Sequence, residues 1–213
     1  MTQPIHIGYL IYPGVTQLDF TGPAQVLSLV PGVTNHMIWK SKEPVMTDAG
    51  FAVVPTHTFQ DHPTLDVLCL PGGTGQKPHL LDPEVIGWIK RTAAEVRYIT
   101  SVCTGAFFLG AAGLLQDRKS AVHWAFRDAL RAFGAEVVEQ RVVVDGTHVS
   151  GGGVTAGIDF GLTLAAELAG EDVAKAIQLT VEYDPQPPFN CGTPNTAGPE
   201  LTERLREQIA GLL

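Results

Sequence analysis

The chain has 213 residues, of which 45% are hydrophobic and 17% charged, a balance that excludes intrinsic disorder and is ample for a buried core. Its formal charge is −8 with no cluster of Lys and Arg, which excludes a nucleic-acid partner because a phosphate backbone requires a basic face. Three cysteines and no CxxC pair exclude both a disulfide framework and a zinc knuckle.

The N-terminal run MTQPIHIGYLIYPGV has no basic start, and its apolar stretch stops at Pro13, too short to span a membrane. A cytoplasmic protein without a membrane partner is expected, with residues 1–213 as a single domain. His6 to Tyr12 reads as a buried strand broken by Pro13-Gly14. A helix is predicted from Thr21 as cap, with Pro23 at its start and Val26, Leu27 and Val30 on one face. Met37 to Trp39 and Phe51 to Val54 read as short strands, and Leu65 to Leu70 as a fully buried one.

Pro83 to Val96 has helical spacing through Val85, Ile86 and Ile89, and Tyr98 to Val102 returns to strand. Helices are then predicted over Thr104 to Leu115 and Trp124 to Phe133, followed by a β-hairpin turning at Asp145-Gly146. Thr155 to Leu168 and Glu171 to Tyr183 read as two more helices. Asp184 to Pro199, rich in Pro, Asn, Thr and Gly, reads as an irregular arm before a short terminal helix. Strands alternating with helices predict an α/β fold, with a largely parallel sheet, helices on both faces and the hairpin as an antiparallel addition.

Chemistry concentrates at Cys103. In SVCTGAFFLGAAGLL it stands between an apolar strand and a helix that opens with Thr104, Gly105 and Ala106, the strand-to-helix corner that lifts a nucleophile off a sheet. The helix N-terminus predicts a lowered thiol pKa there. Cys69, inside LDVLCL, reads as a space-filling core residue, and Cys191 sits in a loop with no activating partner. Asp19, between Leu18 and Phe20, has two readings: a proton-handling carboxyl facing the corner, or a turn and cap residue.

The PGGTG loop at 71–75 follows a buried strand, so its amides are candidates for an oxyanion hole, while the loop lacks the Lys of a phosphate loop. Gly151-Gly152-Gly153 permits close backbone approach or flexing, and equally an ordinary turn. His123, beside Trp124, reads as structural before catalytic. The other histidines show no paired ligand spacing, so no metal is implied.

Together QLDFTGP, CLPGGTG, SVCTGAFFLGAAGLL and GGGVTAGIDF resemble the ThiJ/PfpI superfamily over nearly the whole chain and, within it, the isocyanide hydratases. The resemblance implies a flavodoxin-like three-layer sandwich, a homodimer, and hydration of a small-molecule isonitrile without a cofactor. It puts the nucleophile on Cys103, the acid/base carboxyl on Asp19 and the adjacent hydroxyl on Thr104. Gly72 and Gly73 then lie near the reacting centre, and Gly152 to Val154 form a mobile neighbour of the cysteine. The protease-like branch has His directly after its cysteine, where this chain has Thr104, which argues against a peptidase triad. Two rivals remain. One is glyoxalase-like chemistry on a 2-oxoaldehyde; the other is a ligand-sensing domain of AraC-type regulators, which is expected to need more chain and a basic helix-turn-helix surface.

Overall fold

The computed structural model describes residues 3–209. In chain order the first half contains β1 (Ile5–Leu10), α1 (Gln17–Leu27), β2 (Val33–Trp39), β3 (Val45–Met46), β4 (Ala52–Val53), β5 (His57–Thr58), β6 (Val67–Leu70), α2 (Lys77–Leu80), α3 (Pro83–Ala93) and β7 (Tyr98–Val102). A 3-10 turn at Cys103–Gly105 leads into α4 (Ala106–Ala111), followed by β8 (Lys119–Ser120), α5 (Arg127–Arg131), β9 (Glu136–Val137), β10 (Val142–Asp145) and β11 (His148–Gly151). The chain continues through α6 (Ala156–Ala169), α7 (Glu171–Thr180), α8 (Pro194–Ala197) and α9 (Pro199–Ile209).

Seven strands form the central sheet in the order β10-β11-β7-β6-β1-β2-β5. All neighbours are parallel except β10 and β11. The uninterrupted apolar run of β6 follows from helices on both sides of it: each of Val67, Leu68, Cys69 and Leu70 is fully buried, as a strand with two covered faces requires. One helical layer groups α1, α6 and α7, and the other groups α2, α3, α4 and α5. Because the central strands are parallel, β1, β6, β7 and β11 all end at one edge. The segments carrying Asp19, Gly72, Cys103 and Val154 leave from those four ends. Among the described residues no helix is long and apolar enough to cross a membrane.

Several boundaries differ from the sequence reading, each for an identifiable reason. The first helix starts at Gln17 with Thr16 at its N-cap, so Thr21 lies inside it, its hydroxyl donating to Gln17 Oε1 at 2.7 Å. Pro23 is interior, a position tolerated because α1 packs tightly on α6, where Gly157 and Gly161 face Pro23 and Val26. Helix α4 stops at Ala111 where Leu115 was expected. Gly113, at φ +73°, reverses the chain while its N–H reaches Gly110 O and that of Leu114 reaches Leu109 O, a Schellman stop.

The expected helix over Trp124 to Phe133 is broken. Trp124–Phe126 is a 3-10 turn, Phe126 leaves helical geometry at φ −116° and ψ 10°, and only Arg127–Arg131 is α-helical. The hairpin pairs Asp145 with His148, so its two loop residues are Gly146 and Thr147, one place beyond the expected turn. Ala52–Val53 pairs with Val45–Met46 in a separate two-stranded ribbon instead of joining the main sheet.

Candidate active site

Cys103 follows β7 directly and adopts φ +58°, a left-handed conformation that costs a non-glycine residue about 1–2 kcal/mol. The neighbouring strand holds this corner in place. A Cβ on Gly105 would lie 1.9 Å from Leu70 O at the end of β6, so only glycine lets the turn sit against the sheet edge.

Asp19, in the first turn of α1, is fully buried. Its Oδ2 accepts from Gly72 N–H at 2.9 Å, no partner among the described residues reaches Oδ1, and the carboxyl lies near enough to the Cys103 thiol for each to shift the other's ionisation. Burial raises it from 3.8 to about 7, against the opposing pull of Gly72 N–H and the thiol, while the charge of Asp48 adds to the rise. A buried carboxylate oxygen without a donor is costly, and a proton on it removes that cost.

The thiol differs from expectation. Burial pushes the Cys103 pKa well up and negative charge on Asp19 adds to this, while the N–H groups of Thr104 and Val154 pull it back. The expected lowering assumed a helix dipole, but α4 has six residues and starts at Ala106, so desolvation outweighs it. Below about pH 7 both groups therefore keep their protons, and above it the carboxyl ionises before the thiol.

Thr104 is buried beside the cysteine. Its hydroxyl accepts from Gly73 N–H at 3.2 Å, and its carbonyl accepts from Gln76 Nε2 at 2.9 Å. The amides of Gly72 and Gly73 are thus engaged by Asp19 and Thr104, which removes them from the expected oxyanion hole. They organise the two side chains instead. Gly72 must lack a side chain, since a Cβ would stand 2.4 Å from Thr104 Oγ1 and 2.6 Å from Thr104 N.

Cys103 opens into a cavity of about 190 Å³ lined by Thr16, Gly73, Thr74, Thr104, His123, Phe126, Val154 and Ile209. Val154 belongs to this wall. Gly152 does not: its N–H donates to Arg141 O at 2.9 Å and it faces a neighbouring cavity. His123 Nδ1 accepts from Ala125 N–H at 3.3 Å and caps the 3-10 turn. Burial, then the charge of Arg127, lowers its pKa, which favours the neutral ring at the cavity wall. Among the described residues no three His, Cys, Asp or Glu side chains are arranged to hold a metal.

A model of the DJ-1/PfpI family matches residues 6–167. The chain belongs to the DJ-1/PfpI family. It is 49% identical over 206 residues to the isonitrile hydratase of Pseudomonas putida, covering 97% of this chain and 90% of that protein. The crystal structure of a ThiJ/PfpI family protein from Pseudomonas syringae superposes with a TM-score of 0.96 at 44% identity, covering 99% of this chain and 88% of that one. The HTH-type transcriptional regulator GbdR of Pseudomonas aeruginosa is 23% identical over 189 residues, 85% of this chain but 51% of its own length.

Within this DJ-1/PfpI fold, sequence reasoning missed Thr16, Gln76, Phe126 and Ile209 around the cysteine. Thr16 carried a usable signal, a Thr three places before a candidate carboxyl, which is cap spacing. Gln76, Phe126 and Ile209 carried none, because only the tertiary fold brings those stretches together.

Proposed function

We propose that this chain hydrates an isonitrile, R–NC, to an N-substituted formamide through a thioimidate on Cys103. The observation that carries the proposal is the Cys103 thiol at the wall of a cavity, with a buried carboxyl of raised pKa near enough to act on it, in a chain 49% identical over nearly its full length to an isonitrile hydratase.

Ionised Asp19 takes the thiol proton as sulfur attacks the terminal carbon. The carbon pair then receives that proton back from Asp19, giving R–N=CH–S and a carboxylate ready for the second half. Water adds its oxygen to the thioimidate carbon, one of its protons passes to Asp19, and Asp19 delivers a proton to nitrogen. The tetrahedral adduct R–NH–CH(OH)–S collapses: the C–S bond breaks, the hydroxyl proton returns to sulfur, and the formamide leaves. Sulfur, carboxyl and water balance every step.

Thr104 directs the water, since its hydroxyl accepts from Gly73 and keeps its hydrogen to donate. The Thr104 and Val154 amides stabilise the sulfur as it is expelled. Phe126, Val154 and Ile209 supply an apolar wall for R, while Gly152 lends the Val154 segment room to move. The reading includes a cytoplasmic homodimer; a monomeric mass in light scattering at micromolar concentration would remove the dimer from it.

The direct test is an aryl isocyanide, with loss of its isonitrile infrared band followed alongside formamide production. Stoichiometric conversion over many turnovers is expected. Consumption of methylglyoxal with no isonitrile loss would instead favour the glyoxalase rival.

A further inference from the structure

Thr16 breaks a local rule. It occupies the N-cap of α1 with extended geometry, φ −73° and ψ 108°, yet its hydroxyl makes no capping bond. Asp19 N–H, the donor such a cap ordinarily satisfies, goes to the Thr16 carbonyl at 3.1 Å. The hydroxyl donates instead to Asp48 Oδ2 at 2.5 Å. Asp48 lies in the turn between β3 and β4, held by its N–H on Val15 O at 3.1 Å and by the Thr47 hydroxyl on Phe51 O at 2.7 Å. Met46 O accepts Gly14 N–H at 2.8 Å, tying the ribbon to the loop that precedes Thr16.

A hydroxyl has one hydrogen, and an ionised carboxylate only accepts. With its hydrogen committed to Asp48, Thr16 can show the reaction cavity only lone pairs. Thr104 differs, as one lone pair of its oxygen accepts from Gly73 N–H while no acceptor among the described residues takes its hydrogen. The cavity thus carries one hydroxyl with a hydrogen to give and one that can only accept.

We propose that Thr16 accepts the N–H that first appears when the thioimidate is hydrated, and that Asp48 is the positioning residue holding Thr16 in this polarity. The inference rests on the isonitrile reading. Neither R–NC nor R–N=CH–S carries hydrogen on nitrogen, whereas the tetrahedral adduct and the formamide do. Thr16 therefore leaves the attack by sulfur untouched and favours water addition, in which the C=N pair becomes an N–H bond and one water proton replaces the one Asp19 delivers.

Thr16→Val tests this. It retains the backbone bond to Gly72 O at 2.9 Å, has no side-chain cap to lose and gives up only the exposed bond to Asp48. Rapid-quench intact-mass analysis with excess aryl isocyanide should show the Cys103 adduct forming at the wild-type rate and breaking down about tenfold more slowly, the worth of one hydrogen bond to a transition state. Thr16→Ser should restore breakdown. Asp48→Ala, which frees the hydroxyl to rotate, should slow breakdown severalfold and carries the test alone if Thr16→Val fails to fold. Wild-type breakdown in both Thr16→Val and Asp48→Ala, or slowed adduct formation with normal breakdown, would overturn the proposal while leaving the hydratase reading intact. A wild-type protein inert toward isonitriles would remove both.

Discussion

Cys103→Ala is expected to lower kcat for isonitrile loss by roughly 10⁴-fold or more, the scale on which removal of an essential nucleophile is felt. No other thiol can take its place. Cys69 is fully buried in β6, where burial raises its pKa to about 12, and Cys191 is exposed on the arm after α7. The variant should also form no covalent adduct by intact mass. Turnover within tenfold of wild type would mean that the sulfur is not the attacking atom, and the proposed reaction would fail with it.

Asp19→Asn has two expected effects, on catalysis and on the pH dependence of stability. Activity should fall by about 10²–10⁴-fold, as for loss of a general acid/base, because in the proposed reaction proton transfer among sulfur, carbon, water and nitrogen runs through this one carboxyl. Stability follows from the rise in its pKa from 3.8 to about 7. Between those values the unfolded chain releases a proton that the folded chain keeps, so the unfolded state binds fewer protons and stability falls as pH rises. The loss is complete above about pH 7 and absent below about pH 4.

Asparagine cannot ionise, so the variant should gain on wild type at pH 8 but not at pH 4. The full shift corresponds to a difference on the order of 4 kcal/mol. Urea unfolding of both proteins at the two pH values measures this directly. An equal stability difference at pH 4 and pH 8 would show that Asp19 is not held protonated by the fold.

Much of the architecture follows from local pattern. Val67–Leu70 is buried on both faces because its sequence is apolar without alternation, and α3 starts at Pro83 because Asp82 accepts from the N–H groups of Glu84 and Val85. The cysteine corner was equally legible, since a strand, a thiol and Thr104-Gly105-Ala106 follow one another without interruption. Pro23 misled because an N1 proline and an interior proline look alike in sequence. What permits the interior one is α6, more than 130 residues further along the chain.

By itself, then, the sequence determined the alternation of the main strands and helices, the largely parallel sheet and the position of the thiol at a strand end, since periodicity and turn chemistry act over a few residues. The tertiary structure decided how readily the carboxyl and the thiol ionise and which hydrogen bonds surround them. Asp19 meets Gly72 across 53 positions, Gly73 meets Thr104 across 31 and Thr16 meets Asp48 across 32. The physical reason is that desolvation and hydrogen-bond direction depend on what folding brings alongside a group, and no local pattern records those neighbours.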